Sequence, residues 1–174
     1  MFYRLLKFST VMTALSLTFC GNPVPAQEYV KSIDCLAQNI YWEARNQSFA
    51  GQVAVGLVTM NRVKDERFPD TVCQVVYQGP RRPAWKNPDT TVPIRDKCHF
   101  SWYCDGKSDS WPKKDVTAIN LAYDIAAMIL DHKIHFLDIT QGATHYHADY
   151  VVPAWSYSKE KTVEIDDHIF YKWD

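Results

Sequence analysis

Between Ser32 and Arg62 the chain reads SIDCLAQNIYWEARNQSFAGQVAVGLVTMNR, two apolar helical patterns on either side of a short polar break at Asn46-Gln47. Ile33, Leu36, Ile40 and Glu43 recur at intervals of three, four and three, so the four share one helix face. Glu43 closes that stripe. A carboxylate there is costly to ionise, and its pKa is expected to rise on folding. A general acid working near neutral pH requires such a shift. The competing reading from spacing alone is a glutamate at a frayed helix end, reaching to water or pairing with Arg45.

The pattern predicts a first helix, capped by Ser32 or Asp34 after a lead-in over 27–31, that runs to about Ala44. Ser48 caps a second, from Phe49 to about Val63. Ala50, Val53, Ala54, Leu57 and Val58 make one of its faces, and Val55 and Met60 lie elsewhere on the barrel. A helix apolar on most sides belongs in the middle of a core. Gly51 and Gly56 are expected to let the first helix approach closely, at about 1 kcal/mol each relative to alanine. Gln52 and Asn61, polar on so apolar a helix, should satisfy backbone or partner groups. Downstream, Asp70 should cap a short helix over Thr71 to Tyr77, followed by a loop from Gly79 to about Lys97. That loop holds Arg81, Arg82, Lys86, Arg95 and Lys97, the one basic region of the chain. It reads as a solvated charge run or as a contact for carboxylates of a substrate.

The first 26 residues read as an export signal. Arg4 and Lys7 precede the apolar run FSTVMTALSLTF, too short for a stable span, and Val24-Pro25-Ala26 offers small residues for cleavage after Ala26. Cys20 fits a lipidation site poorly, because bulky Phe19 precedes it. Removing 26 of 174 residues leaves 148, enough for one domain over 27–174 with a single core. Of 19 basic residues two leave with the signal, so 17 face 20 acidic ones. That balance gives no footprint for nucleic acid. Six Trp, ten Tyr and eight Phe suit stacking on sugar rings as well as core packing.

Four cysteines remain after the signal, an even number suited to an oxidising compartment. Of three possible connectivities, the favoured one joins Cys35 to Cys73, tying two helices, and Cys98 to Cys104, closing a short loop. A structural zinc site that adds His99, His145 and His147 is the rival, although Cys-x5-Cys fits no common zinc knuckle.

Pro112 precedes a core helix from about Asp115 to His132, with Ile119, Ala122, Ile125, Ala126 and Ile129 at helical spacing. The period then changes. Gly142 to Ala148 reads as a strand in which His145 and His147 share a face. Val151-Val152-Pro153 and Trp155 fit an edge or turn, and Thr162–Ile165 and His168–Tyr171 form a hairpin about Asp166-Asp167. Helices first and a small antiparallel sheet after make an α+β layout.

Tyr41-Trp42-Glu43-Ala44-Arg45, Gly51-Gln52-Val53-Ala54-Val55 and Asn61-Arg62-Val63 resemble the cell wall hydrolases of the SleB/CwlJ type, named for spore cortex-lytic enzymes. The similarity continues through Phe68-Pro69-Asp70-Thr71-Val72-Cys73, Val75-Val76-Tyr77-Gln78, Cys98-His99-Phe100-Ser101-Trp102, Cys104-Asp105-Gly106 and Gly142 to Ala148, covering roughly Asp34 to Trp155. The resemblance implies a lysozyme-like or resuscitation-factor-like helical lobe with a small antiparallel sheet, acting on peptidoglycan glycan strands. It also implies that Glu43, the glutamate of Tyr-x-Glu-Ala-Arg, is the catalytic acid, with no cofactor and no metal. One departure stands out: relatives often carry Gly-Glu after the arginine, where this chain has Asn46-Gln47. The departure narrows the choice of acid to Glu43.

The expected reaction is that of a lytic transglycosylase, which needs one essential carboxylate because the substrate supplies the nucleophile. A hydrolytic muramidase normally uses two, and Asp65, Asp70, Asp105, Asp138 and Asp149 are possible seconds. Tyr41, Ser101, Trp102 and Tyr146 are expected at the substrate cleft, with core packing the alternative for Trp102. His145 and His147 are expected to orient substrate, or one of them to face outward. Other classes are a zinc amidase with His99, His145 and His147 as ligands and Glu43 as base, and a non-catalytic glycan-binding module. The expected protein is an exported monomer, periplasmic or extracellular, with no stable membrane span once the signal is cleaved.

Overall fold

The structure, a computed structural model, describes residues 26–131 and 137–173. Residues 1–25 of the expected signal segment and the predicted helix end at His132 lie outside them. Helix α1 (Ala26–Ala44) starts earlier than the capping pattern suggests. Residues 27–31 hold no Pro or Gly, and Glu28 sits in the first turn, where the helix dipole favours an acid. The lead-in is therefore helical. The predicted stripe is the buried one: Leu36 and Ile40 are wholly enclosed and Ile33 packs at their edge.

Helix α2 (Phe49–Lys64) begins where Ser48 accepts a hydrogen bond from the Gly51 N–H. Every residue from Gly51 to Thr59 is buried, so α2 is the central helix. Ala50 is exposed and does not belong to the buried face. Gly56 allows the close approach: a Cβ there would lie 2.6 Å from Ile129 Cδ1 and 3.2 Å from Ile40 Cδ1. Gly51 serves a different contact, against Asp166 of the C-terminal hairpin. Short helix α3 (Val72–Val76) is capped by Thr71, not Asp70; the Thr71 hydroxyl accepts from the Gln74 N–H. Helix α4 (Val116–Leu130) buries Ala122, Ile125, Ala126 and Ile129 against α1 and α2. At about 1.5–3 kcal/mol for each large aliphatic side chain, this three-helix contact is the main source of stability.

The basic stretch expected as a loop forms a small hairpin, β1 (Arg81–Pro83) against β2 (Thr91–Pro93). Its prolines read as breakers, yet proline is tolerated at strand ends and on edges. Arg81 fastens the hairpin, donating to the Thr91 carbonyl, to the Thr91 hydroxyl and to Tyr103 Oη.

The second sheet has the order β3 (His145–Ala148), β5 (His168–Lys172), β4 (Glu160–Ile165), antiparallel throughout. Asp166 turns the β4–β5 hairpin in the left-handed region (φ 50°), which Asp tolerates better than most residues. The hairpin tip docks on the break between α1 and α2. Asp166 Oδ2 accepts from the Ser48 backbone N–H (2.9 Å) and hydroxyl (2.7 Å), and Gln47 Nε2 donates to Asp167 Oδ2 at 3.1 Å. The disulfides are Cys35–Cys73, joining α1 to α3, and Cys98–Cys104.

Candidate active site

The last turn of α1, the segment 99–109 and strand β3 with its following turn enclose a cleft of about 590 Å³. Glu43 lines it, brought there by the helix stripe whose apolar members lie in the core. Tyr146, on β3, donates its hydroxyl to Glu43 Oε2 at 2.8 Å. The Ser101 backbone N–H also faces this carboxyl, freed by its place in the first turn of a 3-10 segment (Ser101–Cys104). Arg62, from the centre of α2, supplies a positive charge nearby.

Burial raises the Glu43 pKa above the ordinary carboxylate range, against the smaller opposing effects of Tyr146, Arg62 and the Ser101 N–H. The site therefore holds a proton at higher pH than a free glutamate, yet has three groups ready to stabilise the anion once that proton leaves. Such an arrangement suits an acid that must later act as a base. The Tyr146 hydroxyl is itself driven upward, first by burial and then by the Glu43 charge, so it stays a donor.

Of the other residues expected at the cleft, Ser101 sits exposed at its lip and Trp102 lines it while staying 6% exposed. Trp102 is also part of the core: its indole N–H donates to Asn39 Oδ1 at 2.9 Å, and its ring stacks near Trp42. Asn39 passes the chain on to Thr59, whose hydroxyl donates to the Val55 carbonyl. His147 also lines the cleft, tied to the Ala148 carbonyl and to Tyr171 Oη. Tyr41 is placed elsewhere. It is fully buried, and its hydroxyl donates to Asp115 Oδ2 at 2.7 Å. His145 lies apart from the main cleft, on a smaller cavity behind Arg62 and Tyr146.

Sequence reasoning did not single out Trp42, Arg62, Asp109 or Tyr150, all of which line the cleft. Arg62 carried a signal, since a charged side chain in a helix this apolar needs a partner or a task. Asn61 and Gln52 satisfy neighbours as expected: Asn61 donates to Asp138, Thr140 and the Ala143 carbonyl, and Gln52 to the Gln47 carbonyl. Among the proposed second carboxylates, Asp105 lines the cleft and Asp138 is spoken for by Asn61, Thr140 and Gly142. Asp65 is held by Arg67.

The zinc alternative needs ligands that converge. All four cysteines of residues 27–174 are in disulfides, and among the described residues no three His, Cys, Asp or Glu side chains come together as a metal site would require.

The sequence profile described as cell wall hydrolase matches residues 46–171, a match that begins just past Glu43. The spore cortex-lytic enzyme of Halalkalibacterium halodurans is 30% identical over 148 residues, 84% of this chain and 36% of that one. The spore cortex-lytic enzyme of Bacillus cereus is 28% identical over 153 residues, 87% and 48% of the two chains. The chain thus spans less than half the length of these relatives. Among solved structures, the catalytic domain of the Bacillus cereus SleB protein aligns with TM-score 0.55 and 26% identity, over 86% of this chain and 94% of that one. The catalytic domain of the germination-specific lytic transglycosylase SleB from Bacillus anthracis aligns with TM-score 0.57 and 28% identity, over 86% and 100%.

Proposed function

Starting from a chain that belongs to the cell wall hydrolase family, we propose that it cuts peptidoglycan glycan strands as a lytic transglycosylase, with Glu43 as sole acid and base. The observation that carries this reading is the half-buried Glu43, its carboxyl facing Tyr146, Arg62 and the Ser101 N–H in an open cleft. Glu43, protonated, donates to the oxygen linking C1 of N-acetylmuramic acid to N-acetylglucosamine. The C1–O bond breaks and the N-acetylglucosamine hydroxyl departs. The Glu43 carboxylate then takes the proton of the muramic 6-hydroxyl while O6 bonds to C1, closing a 1,6-anhydro ring and restoring the acid. Between the two transfers, Tyr146, the Ser101 N–H and Arg62 stabilise the anion. Trp42, Trp102 and Tyr150 supply ring surface for sugars and Ser101 a hydroxyl.

A hydrolytic muramidase is the second reading, because Asp105 and Asp109 line the same cleft. The two have opposite tendencies. The backbone and side chain of Lys107 hold Asp105 low and ionised, while burial and the Asp105 charge push Asp109 up. Asp105 is thus the more readily ionised of the two and Asp109 the stronger base for a water.

The protein acts outside the cytoplasm, where its substrate lies, with residues 1–26 as the export signal and 27–174 as the catalytic domain. No helix among the described residues is long and apolar enough to cross a membrane. The test is mass spectrometry of muropeptides released from purified peptidoglycan by residues 27–174 and by its Glu43→Gln variant. Anhydro-muramic ends that vanish in the variant are expected. Reducing ends lost in Asp109→Asn or Asp105→Asn would favour hydrolysis, and released peptides with intact glycan would sink both readings.

A further inference from the structure

Behind Arg62 and Tyr146 lies a second cavity of about 240 Å³, lined by Arg62, His99, His145, Tyr146 and Trp155. Arg62, His99 and Tyr146 also line the main cleft, so the two spaces share a wall. Arg62 is 6% exposed. Its Nε donates to the Thr144 carbonyl at 2.7 Å, and its guanidinium lies over the rings of Phe100 (4.6 Å) and Phe68 (5.4 Å). Its Nη1 is buried with no hydrogen-bond partner among the described residues. A buried, under-satisfied guanidinium at the wall of a cavity is a costly arrangement unless an acceptor fills it.

The basic side chains Lys159 and Arg67 add charge of the same sign nearby. His145 sits between Trp155 and Trp173, each ring 5.3 Å away, with Nδ1 engaged by the Thr144 hydroxyl. Burial, then the charges of Arg62, Lys159, His99 and Arg67, push its pKa down to about 3. Asp65 is paired with Arg67, and Glu43, whose charge also acts on Arg62, accepts from Tyr146 and lines the main cleft but not this cavity. An incoming anion would meet a buried cation, two imidazoles and a flat aromatic wall. Guanidinium forks match planar carboxylates, and carboxylates are the anionic groups of peptide-bearing glycan strands.

We propose that this cavity is a carboxylate-binding pocket, taking a carboxylate of the peptide branch on the muramic residue while the glycan lies in the main cleft. The pocket stands on its own geometry; the identity of its ligand rests on the peptidoglycan reading. The same chemistry would also accept a small free carboxylate, and two arms of one experiment separate the sources.

In the first arm the intact protein is titrated with sodium acetate against sodium chloride at equal ionic strength, and the His99 and His145 ring resonances are followed by NMR. Acetate should shift both saturably, and His145→Phe, which keeps an aromatic ring between the tryptophans, should weaken the His99 response about tenfold. No saturable shift, or the same shift with chloride, overturns the pocket. In the second arm binding of peptide-bearing strands is compared with that of strands stripped of peptide, using Glu43→Gln to prevent turnover. A preference of about tenfold for the peptide-bearing form, lost on His145→Phe, assigns the ligand to the substrate. Acetate binding with no such preference overturns that assignment and leaves a pocket for a free carboxylate. Neither strand form binding at all would strike the peptidoglycan reading, whatever acetate does.

Discussion

Tyr146 donates its hydroxyl to Glu43 Oε2 at 2.8 Å, linking the sheet to the end of α1 across 103 positions of sequence. The bond opposes burial: it lowers the Glu43 pKa while burial raises it. Removing it by Tyr146→Phe should therefore move the Glu43 pKa further up. The alkaline limb of the kcat/KM profile should shift to higher pH, since Glu43 keeps its proton longer. The maximal rate should fall by about 10²-fold, because the anion formed after proton donation loses a preorganised donor. A pH profile of the variant on peptidoglycan checks both signs. A limb that stays in place would mean that another group titrates.

Gln47 occupies the position where the family resemblance leads one to expect glutamate, and it uses both ends of its amide. Its Nε2 donates to Asp167 Oδ2, and its Oε1 accepts from the Asp167 N–H at 3.3 Å. It does not line the cleft. Gln47→Glu would set a carboxylate against Asp166 and Asp167, so it should destabilise the fold by about 1 kcal/mol without raising activity. Urea melts at two salt concentrations test this, since added salt should narrow the gap. A gain in turnover would show that the second glutamate has a chemical role after all.

The helical core was readable because its signal is local: the three-four-three spacing of Ile33, Leu36, Ile40 and Glu43 states which face is buried, and Glu43 inherits its position from that face. The β4–β5 hairpin was readable for the same reason, from alternation about Asp166-Asp167. Tyr41 misled, because the motif that carries Glu43 does not say which neighbour faces the cleft. One helix residue turns the ring by about 100°, enough to bury Tyr41 and leave Trp42 at the wall. The β1–β2 hairpin was hidden by its prolines, whose tolerance at strand ends depends on pairing that lies elsewhere in the chain. Arg62 and Asp109 belong to the site through tertiary contacts between distant segments, which no period in the sequence encodes.

The two disulfides should respond differently to reductant. Cys35 and Cys73 are 4% and 7% exposed and close a separation of 38 residues, whereas Cys98 is only half-buried and its bridge spans 6. Cys98–Cys104 should be reduced first, loosening the Ser101 N–H that faces Glu43 and lowering activity before stability falls. Loss of Cys35–Cys73 through paired alanine substitutions should cost about 4 kcal/mol by the loop-closure relation. Mass-tagging of free thiols against time in dithiothreitol, with activity read in parallel, gives the order. Simultaneous labelling of all four would contradict it.

Glu43 should also leave its mark on stability. Its folded pKa lies above its unfolded value. Below the unfolded value both states are protonated, and the group's contribution is fully present. As pH rises through the folded pKa the unfolded chain releases its proton more readily, so stability falls, by about 1.4 kcal/mol for each unit separating the two pKa values. Glu43→Gln has nothing to titrate and escapes that fall. An amide accepts from Tyr146 as a carboxyl does but sets N–H groups toward other donors, so the absolute difference between the proteins mixes two effects. Its pH dependence does not. The variant, though inactive, should gain on the parent protein as pH rises from the unfolded pKa of Glu43 to its folded one, and the difference should level off above that. Chemical denaturation of both proteins across that range measures the slope. A difference that stays flat with pH would place Glu43 in water with an ordinary pKa, and would remove the physical basis for its role as the acid.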